Sequence, residues 1–349
     1  MAHKDNYTAD TANQPATGAL DGAARHVVIV VFDGVESLDV AGPASAFYKA
    51  AALVPGAYRV TIASPQGGTV QTNAGFAIAA TLALKECTDA IDTLVIAGGD
   101  EVALRAAVLD QGVGQWIAFN APAVRRITSV CTGAFALAAA GVLNHRKSTT
   151  HWNACELLQS LCPETDVQED CIFVHDGKVW TSAGVTTGLD LALALIEADL
   201  GRHVAVSIAH SLALFMVRGS TQPQISTTLL AQADASSRLR ELLAWITGSL
   251  AQDHSVQQLA ARVSMSPRNF ARTFVVETGF TPSKFVTQAR LEHATQLLDQ
   301  TPWPLEKIAL RSGFKSIDAL QRAFRKNYDS TPAQHRTRNQ LETRKQREP

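Results

Sequence analysis

Six positions between Ser266 and Pro282 recur fifty residues further along the chain. Ser266, Phe270, Arg272, Phe274, Thr281 and Pro282 return as Ser316, Leu320, Arg322, Phe324, Thr331 and Pro332. A repeat of this size means two copies of one supersecondary unit, which narrows the possible folds of the C-terminal third sharply. In the first copy Val256, Leu259, Ala260 and Val263 form an apolar stripe, followed by a tight turn at Ser264 and Met265. Ser266 then stands as an N-cap, with Pro267 in the first helical position. In the second copy Leu305, Ile308 and Ala309 lead through Gly313 and Phe314 to Ser316 as N-cap. A short helix, a turn and a capped second helix form the helix-turn-helix pattern, whose second helix enters the major groove of DNA. Residues 283–299 read as one helix joining the copies.

Charge divides the chain at the same place. The formal net charge of −1 hides 13 basic and 22 acidic residues in 1–234, against 18 basic and 10 acidic residues in 235–349. A clustered basic excess points to nucleic acid or another anionic surface; on charge alone, solvated helix faces would explain it equally well.

The runs LAARVSMSPRNFARTF, GFTPSKFVTQARLEHATQLL, LEKIALRSGFKSIDALQRAFRK and STPAQHR closely resemble the AraC/XylS family of transcription regulators over residues 236–338. A basic polar tail, 339–349, follows. Leu320 stands where that family commonly has an aromatic, Asp329 where it has glycine, and His335 where it has tyrosine. Outward positions of the first recognition helix are Arg268, Asn269, Ala271 and Arg272; those of the second are Asp318, Ala319, Gln321 and Arg322, with Arg325 and Lys326 beyond. Arginine offers a bidentate donor pair to guanine and glutamine pairs with adenine, so Arg268, Arg272, Gln321 and Arg322 are the candidate base readers. The resemblance implies the same positions. Ser266 and Ser316 are expected to cap their helices and touch phosphate. Two motifs on one chain predict a double-stranded DNA site spanning adjacent major-groove segments about one helical turn apart.

At 349 residues the chain exceeds what one hydrophobic core usually organises, so a second domain is expected. From residue 26 onward short apolar runs (26–32, 58–63, 93–97, 126–130) alternate with helical patterns (39–50, 101–109 and the stretch after Cys131). This alternation predicts a parallel α/β sheet with its site at the carboxyl ends of the strands. Three such ends are readable: Phe32 into Asp33-Gly34, Ala97 into Gly98-Gly99, and Val130 into Cys131. The Asp176-Gly177 pair predicts a hairpin. Helices are expected over 186–199 and 204–217, and the polar stretch 219–235 reads as an interdomain connection.

Other classes are disfavoured. The polar N-terminus, read as a disordered tail over 1–24, lacks the apolar core of a secretory signal. The 204–217 segment is interrupted by Ser207 and His210 and is too short to span a bilayer, so no membrane partner and a cytoplasmic location are expected. Five cysteines without a C-x-x-C pair favour neither a disulfide framework nor zinc, and no metal or cofactor is expected. Cys155, Cys162 and Cys171 read as packing residues.

The order VFDGVESLDVAGP, VIAGGD, SVCTGAFALAAAGVL, TTHW and TSAGVTTGLDLAL resembles the ThiJ/PfpI family, relatives of class I glutamine amidotransferases, over a domain placed at 25–218. That resemblance implies a flavodoxin-like α/β sandwich. Fused to the helix-turn-helix unit, it resembles GlxA-type regulators, which implies a small nitrogenous effector such as an amino acid or quaternary amine. Dimerisation through the α/β domain is expected on the same ground, and RNA polymerase is a further candidate partner. The expected ligand site comprises Asp39, Gly98, Gly99, Cys131, Thr132 and His151. Cys131 leaves three readings open: part of a sensing pocket, a nucleophile, or a redox sensor. As a nucleophile it would have a thiolate favoured by the following helix N-terminus, Gly98-Gly99 amides as an oxyanion cradle, and Asp39 beside it. The Asp39, Cys131 and Thr132 set resembles the isocyanide hydratase branch. Thr132 replaces the histidine of the protease-like branch, so that dyad is absent.

Overall fold

The computed structural model describes residues 23–214, 218–220, 222–226, 229, 231, 235–328 and 330–337. The expected tails fall outside these residues except for 23 and 24, as does Asp329; the 219–235 connection is described in part.

The first half runs β1 (Arg25–Val30), α1 (Ser37–Leu53), β2 (Tyr58–Ser64), β3 (Gly68–Gln71), β4 (Ala77–Ala80), β5 (Leu82–Ala83), β6 (Thr93–Ile96), α2 (Glu101–Leu109), α3 (Val113–Asn120), β7 (Arg126–Val130) and α4 (Gly133–Ala139). It continues with β8 (Lys147–Ser148), α5 (Cys155–Leu161), β9 (Asp166–Val167), β10 (Phe173–Asp176), β11 (Val179–Ser182), α6 (Thr187–Leu200) and α7 (Arg202–Ser211). Seven strands form one sheet in the order β10-β11-β7-β6-β1-β2-β5. Every neighbouring pair is parallel except β10 with β11, the hairpin expected at Asp176-Gly177. This is the parallel α/β sheet that the alternating runs predict, in the flavodoxin-like arrangement that the family resemblance implies. Val27, Val28, Ile29 and Val30 in β1 and Leu94 and Ile96 in β6 are completely buried, because a parallel sheet is covered by helices on both faces.

Of the expected helices, 204–217 is shortened. It ends at Ser211, where Ala213 turns left-handed and the Leu214 amide donates to the Ala209 carbonyl, closing the helix; residues 215–217 lie outside those described. The hairpin of β3 and β4 and the short pair of β8 and β9 were not expected.

The second half is helical: α8 (Ser237–Gly248), α9 (Val256–Arg262), α10 (Pro267–Thr278), α11 (Pro282–Gln300), α12 (Leu305–Arg311) and α13 (Ile317–Tyr328). Each helix-turn-helix has its own core. Phe270, Phe274 and Phe285 pack with Leu239, Leu243 and Leu259 in the first, and Leu291, Leu298, Ile308, Leu320 and Phe324 make the second. Ser266 accepts the Asn269 amide at 3.4 Å and Ser316 the Ala319 amide at 3.1 Å, the N-caps read from the repeat. Leu320 is fully buried in the aromatic's place. His335 takes the tyrosine's place with its Nε2 2.8 Å from Asp299 Oδ1 and its ring 5.5 Å from Phe324. Among the described residues no helix is long and apolar enough to cross a membrane, and no His/Cys/Asp/Glu group could hold a metal.

Candidate functional site

Three of the strand ends read from sequence meet at one edge of the sheet, joined by the segment after β11. The tightest point is Cys131. It sits between β7 and α4 with φ of 55°, a left-handed conformation that few non-glycine residues adopt and that marks functional turns. Its amide donates to the Ser182 carbonyl at 3.1 Å, and its carbonyl accepts from Thr150 Oγ1 at 2.8 Å. Two glycines make room. A Cβ at Gly184 would lie 2.7 Å from Cys131 Sγ, and one at Gly133 would lie 2.3 Å from the Ile96 carbonyl oxygen.

Asp39, in the first turn of α1, is completely buried and accepts two backbone amides: Gly98 at 3.0 Å on Oδ2 and Val185 at 2.7 Å on Oδ1. Burial pushes its pKa up to about 7; the Val185 and Gly98 bonds oppose the rise and Glu36 adds to it. Thr132 Oγ1 accepts the Gly99 amide at 3.0 Å and lies 3.1 Å from the Gly99 carbonyl.

These bonds correct the nucleophile reading in two respects. The Gly98 and Gly99 amides are already engaged by Asp39 and Thr132, so they do not form a free oxyanion cradle. The thiol pKa of Cys131 is raised to about 12, first by burial and then by Asp39, and the Thr132 amide at the start of the helix does not offset them.

The structure brings Asp39, Gly98, Gly99, Cys131 and Thr132 together. His151 differs: its Nδ1 lies 2.5 Å from Asn153 Oδ1 and its ring lies tilted 5.6 Å from that of Trp152, while its neighbour Thr150 makes the bond to the elbow. Sequence reasoning missed Glu36. Its Oε1 accepts the Leu38 amide, its Oε2 accepts from Asn73 Nδ2 at 2.9 Å, and its charge acts on both Asp39 and Cys131. The acidic residue before the helical pattern was the available signal, since carboxylates favour helix N-termini. Cys155 and Cys162 are buried, and Cys171 is partly buried.

Asp39 has a measurable consequence. Its folded pKa lies above the ordinary value, so the folded chain holds a proton that the unfolded chain has lost between pH 4 and 7, and stability falls as pH rises through that window. Between pH 5 and 8 the wild-type α/β domain should lose about 3 kcal/mol more than Asp39→Ala, read from urea unfolding at both pH values. Equal losses would show that Asp39 does not titrate there.

In the helical half, Arg268, Asn269 and Arg272 are exposed on α10, and Asp318, Arg322, Arg325 and Lys326 on α13; Ala271, Ala319 and Gln321 are half-exposed beside them. Arg272 and Arg322, which share a repeat position, both stand in solvent. Arg272 Nη2 donates to Asn269 Oδ1 at 3.2 Å.

Comparison with known proteins agrees with both halves. Residues 25–198 match the model of the DJ-1/PfpI family, and residues 259–338 match that of a helix-turn-helix domain. The chain is 31% identical to isonitrile hydratase of Pseudomonas putida, covering 73% of that protein but only 51% of this chain. The chain belongs to the DJ-1/PfpI family. It is 29% identical to the HTH-type transcriptional regulator CdhR of Pseudomonas aeruginosa (80% of this chain, 82% of CdhR) and 26% identical to GlxA of Rhizobium meliloti (83% and 89%). A ThiJ/PfpI protein from Pseudomonas syringae, 21% identical, superposes with a TM-score of 0.52 over 73% of this chain and 99% of its own, which supports the fold. A DJ-1/PfpI domain followed by an AraC-type helix-turn-helix domain is the architecture of a DNA-binding transcription regulator.

Proposed function

We propose that residues 25–218 sense a small nitrogenous metabolite and that residues 236–338 read operator DNA, with 219–235 connecting them. The observation that carries the sensing half is the state of the elbow. The amides that would stabilise an oxyanion are already bonded, burial pushes the thiol pKa up, and two carboxyl groups, Glu36 and Asp39, act on it. Such a site favours holding a cationic or amine-bearing molecule over attacking one. The DNA-reading half rests on the two capped helices with outward arginines.

Two measurements test this reading. On a duplex selected by the full chain from a random library, Arg272→Ala or Arg322→Ala should cost about 1–3 kcal/mol at one base pair; a loss uniform over all sequences would assign that arginine to phosphate. Amino acids and quaternary amines screened by thermal shift should include one that raises the wild-type transition and has no effect on Asp39→Ala. Absence of any shift sinks the sensing half. Turnover of an isonitrile by the purified chain, abolished in Cys131→Ala, would establish the hydratase reading instead.

A further inference from the structure

We infer that Arg218 and Gln224 are positioning residues that latch the interdomain connection onto the walls of the elbow site and so carry its state to the second helix-turn-helix; this rests on the sensing reading above. The first latch starts at Asp39. Val185 donates its amide to that carboxyl, and the next residue, Thr186, accepts Arg218 Nη2 at 2.8 Å. Arg218 also donates its backbone amide and its Nε, each at 3.0 Å, and its Nη2, at 2.6 Å, to the buried carboxylate of Asp190 in α6. The second latch starts at Cys131. Thr150 Oγ1 holds the Cys131 carbonyl, and the Thr150 carbonyl accepts Gln224 Nε2 at 3.0 Å. Gln224 Nε2 also donates to the Glu169 carbonyl at 2.9 Å, and its amide donates to Asp170 Oδ1 at 3.1 Å. Between them the Ser220 carbonyl accepts the Ile172 amide at 3.0 Å.

The same short segment touches the DNA-reading half. Gly219 lies so close to Asp299 that a Cβ there would come within 2.5 Å of Oδ2. Asp299 Oδ1 holds His335, whose ring stands against Phe324 in the core of α13, and the Asp299 carbonyl accepts from Arg202 Nη1 at 3.3 Å. A polar connection that merely tethered two domains would be solvated. This one is bonded on one side to residues one step from Asp39 and Cys131, and is packed on the other against the hydrogen-bonded Asp299–His335 pair beside the second recognition helix. Coupling needs an element whose arrangement both sites bias, and Arg218, Gly219, Ser220 and Gln224 have contacts of that kind on each side.

The test needs no effector. Full-length Asp39→Asn and Thr150→Val, each changing one latch at its site end, are compared by fluorescence anisotropy on the selected operator duplex, in the native connection and in an Arg218→Lys/Gln224→Ala background. Arg218→Lys keeps a cation on Asp190 and Gln224 is half-exposed, so the background chain should retain its fold, checked by its thermal transition; if it does not, Gln224→Ala alone serves, with only Thr150→Val scored in it. The site-end variants should shift operator affinity by about 5-fold or more in the native connection and leave it unchanged in the released background. Equal shifts in both backgrounds overturn the latch and leave the sensing reading standing. No shift in either overturns the latch as well, while the thermal-shift screen alone decides whether a metabolite binds.

Discussion

Gly184→Ala should destabilise the α/β domain by about 2–6 kcal/mol. Gly184 has φ of 111°, which an alanine adopts only with strain of about 1–3 kcal/mol. Its new Cβ would lie 2.4 Å from Cys131 Cβ and 2.7 Å from both Cα and Sγ, a collision worth about 1–3 kcal/mol more. Cys131 has nowhere to retreat, because its amide is bonded to Ser182 and its carbonyl to Thr150. The decisive control is Cys131→Gly, which removes Cβ and Sγ together and relaxes the left-handed backbone of Cys131 itself. In Gly184→Ala/Cys131→Gly the part of the collision made with Cβ and Sγ should be recovered, while the 2.7 Å approach to Cys131 Cα and the backbone part of Gly184 are retained. Strict additivity of the two substitutions in urea unfolding would mean that the two residues are not in contact.

That collision also shows what could be read in the chain and what could not. The strand entering Cys131 was legible as an apolar run ending in small residues, and the turn follows from that run meeting a helix-forming stretch. The repeat was legible because N-caps and apolar stripes are local signals: the helix expected over 283–299 is Pro282–Gln300 in the structure. The engagement of the two glycine amides was not legible. Gly98 is bonded to a carboxylate 59 residues earlier and Gly99 to a hydroxyl 33 residues later, and hydrophobic period carries no information about such partners. The direction of the Cys131 shift was hidden for a related reason: the helix N-terminus that lowers a thiol pKa is visible in sequence, whereas the burial that raises it is a property of the packed fold. Arg218 fell at the edge of a stretch read as polar connection, and only the buried carboxylate of Asp190 gives it a role.

Gly313→Ala should strongly destabilise the DNA-reading half, and the repeat itself explains why. Both copies make the same turn. Met265 and Phe314 donate their amides to Ala260 and Ala309, and the residue before each, Ser264 and Gly313, is left-handed with φ of 55° and 78°. The first copy carries a serine there, so the backbone conformation alone is tolerable, at about 1–2 kcal/mol. What forbids a side chain in the second copy is its surroundings: a Cβ on Gly313 would stand 1.9 Å from the Leu250 carbonyl oxygen and 2.7 Å from Arg290 Nε. Arg290, on the helix that joins the two motifs, donates to that same carbonyl at 3.0 Å, so this is the point where the segment after α8, the joining helix and the second turn interlock. Alanine must push the turn of the second motif away from the first, at about 2–5 kcal/mol in all. Because the duplex fixes the separation of two recognition helices, operator affinity should fall more than stability does, with the unfolding of the α/β domain unchanged. Ser264→Gly, which removes the strain without touching a neighbour, should stabilise the chain slightly and leave operator affinity as it was. Wild-type affinity in Gly313→Ala would mean that the two recognition helices are not held in register by this contact.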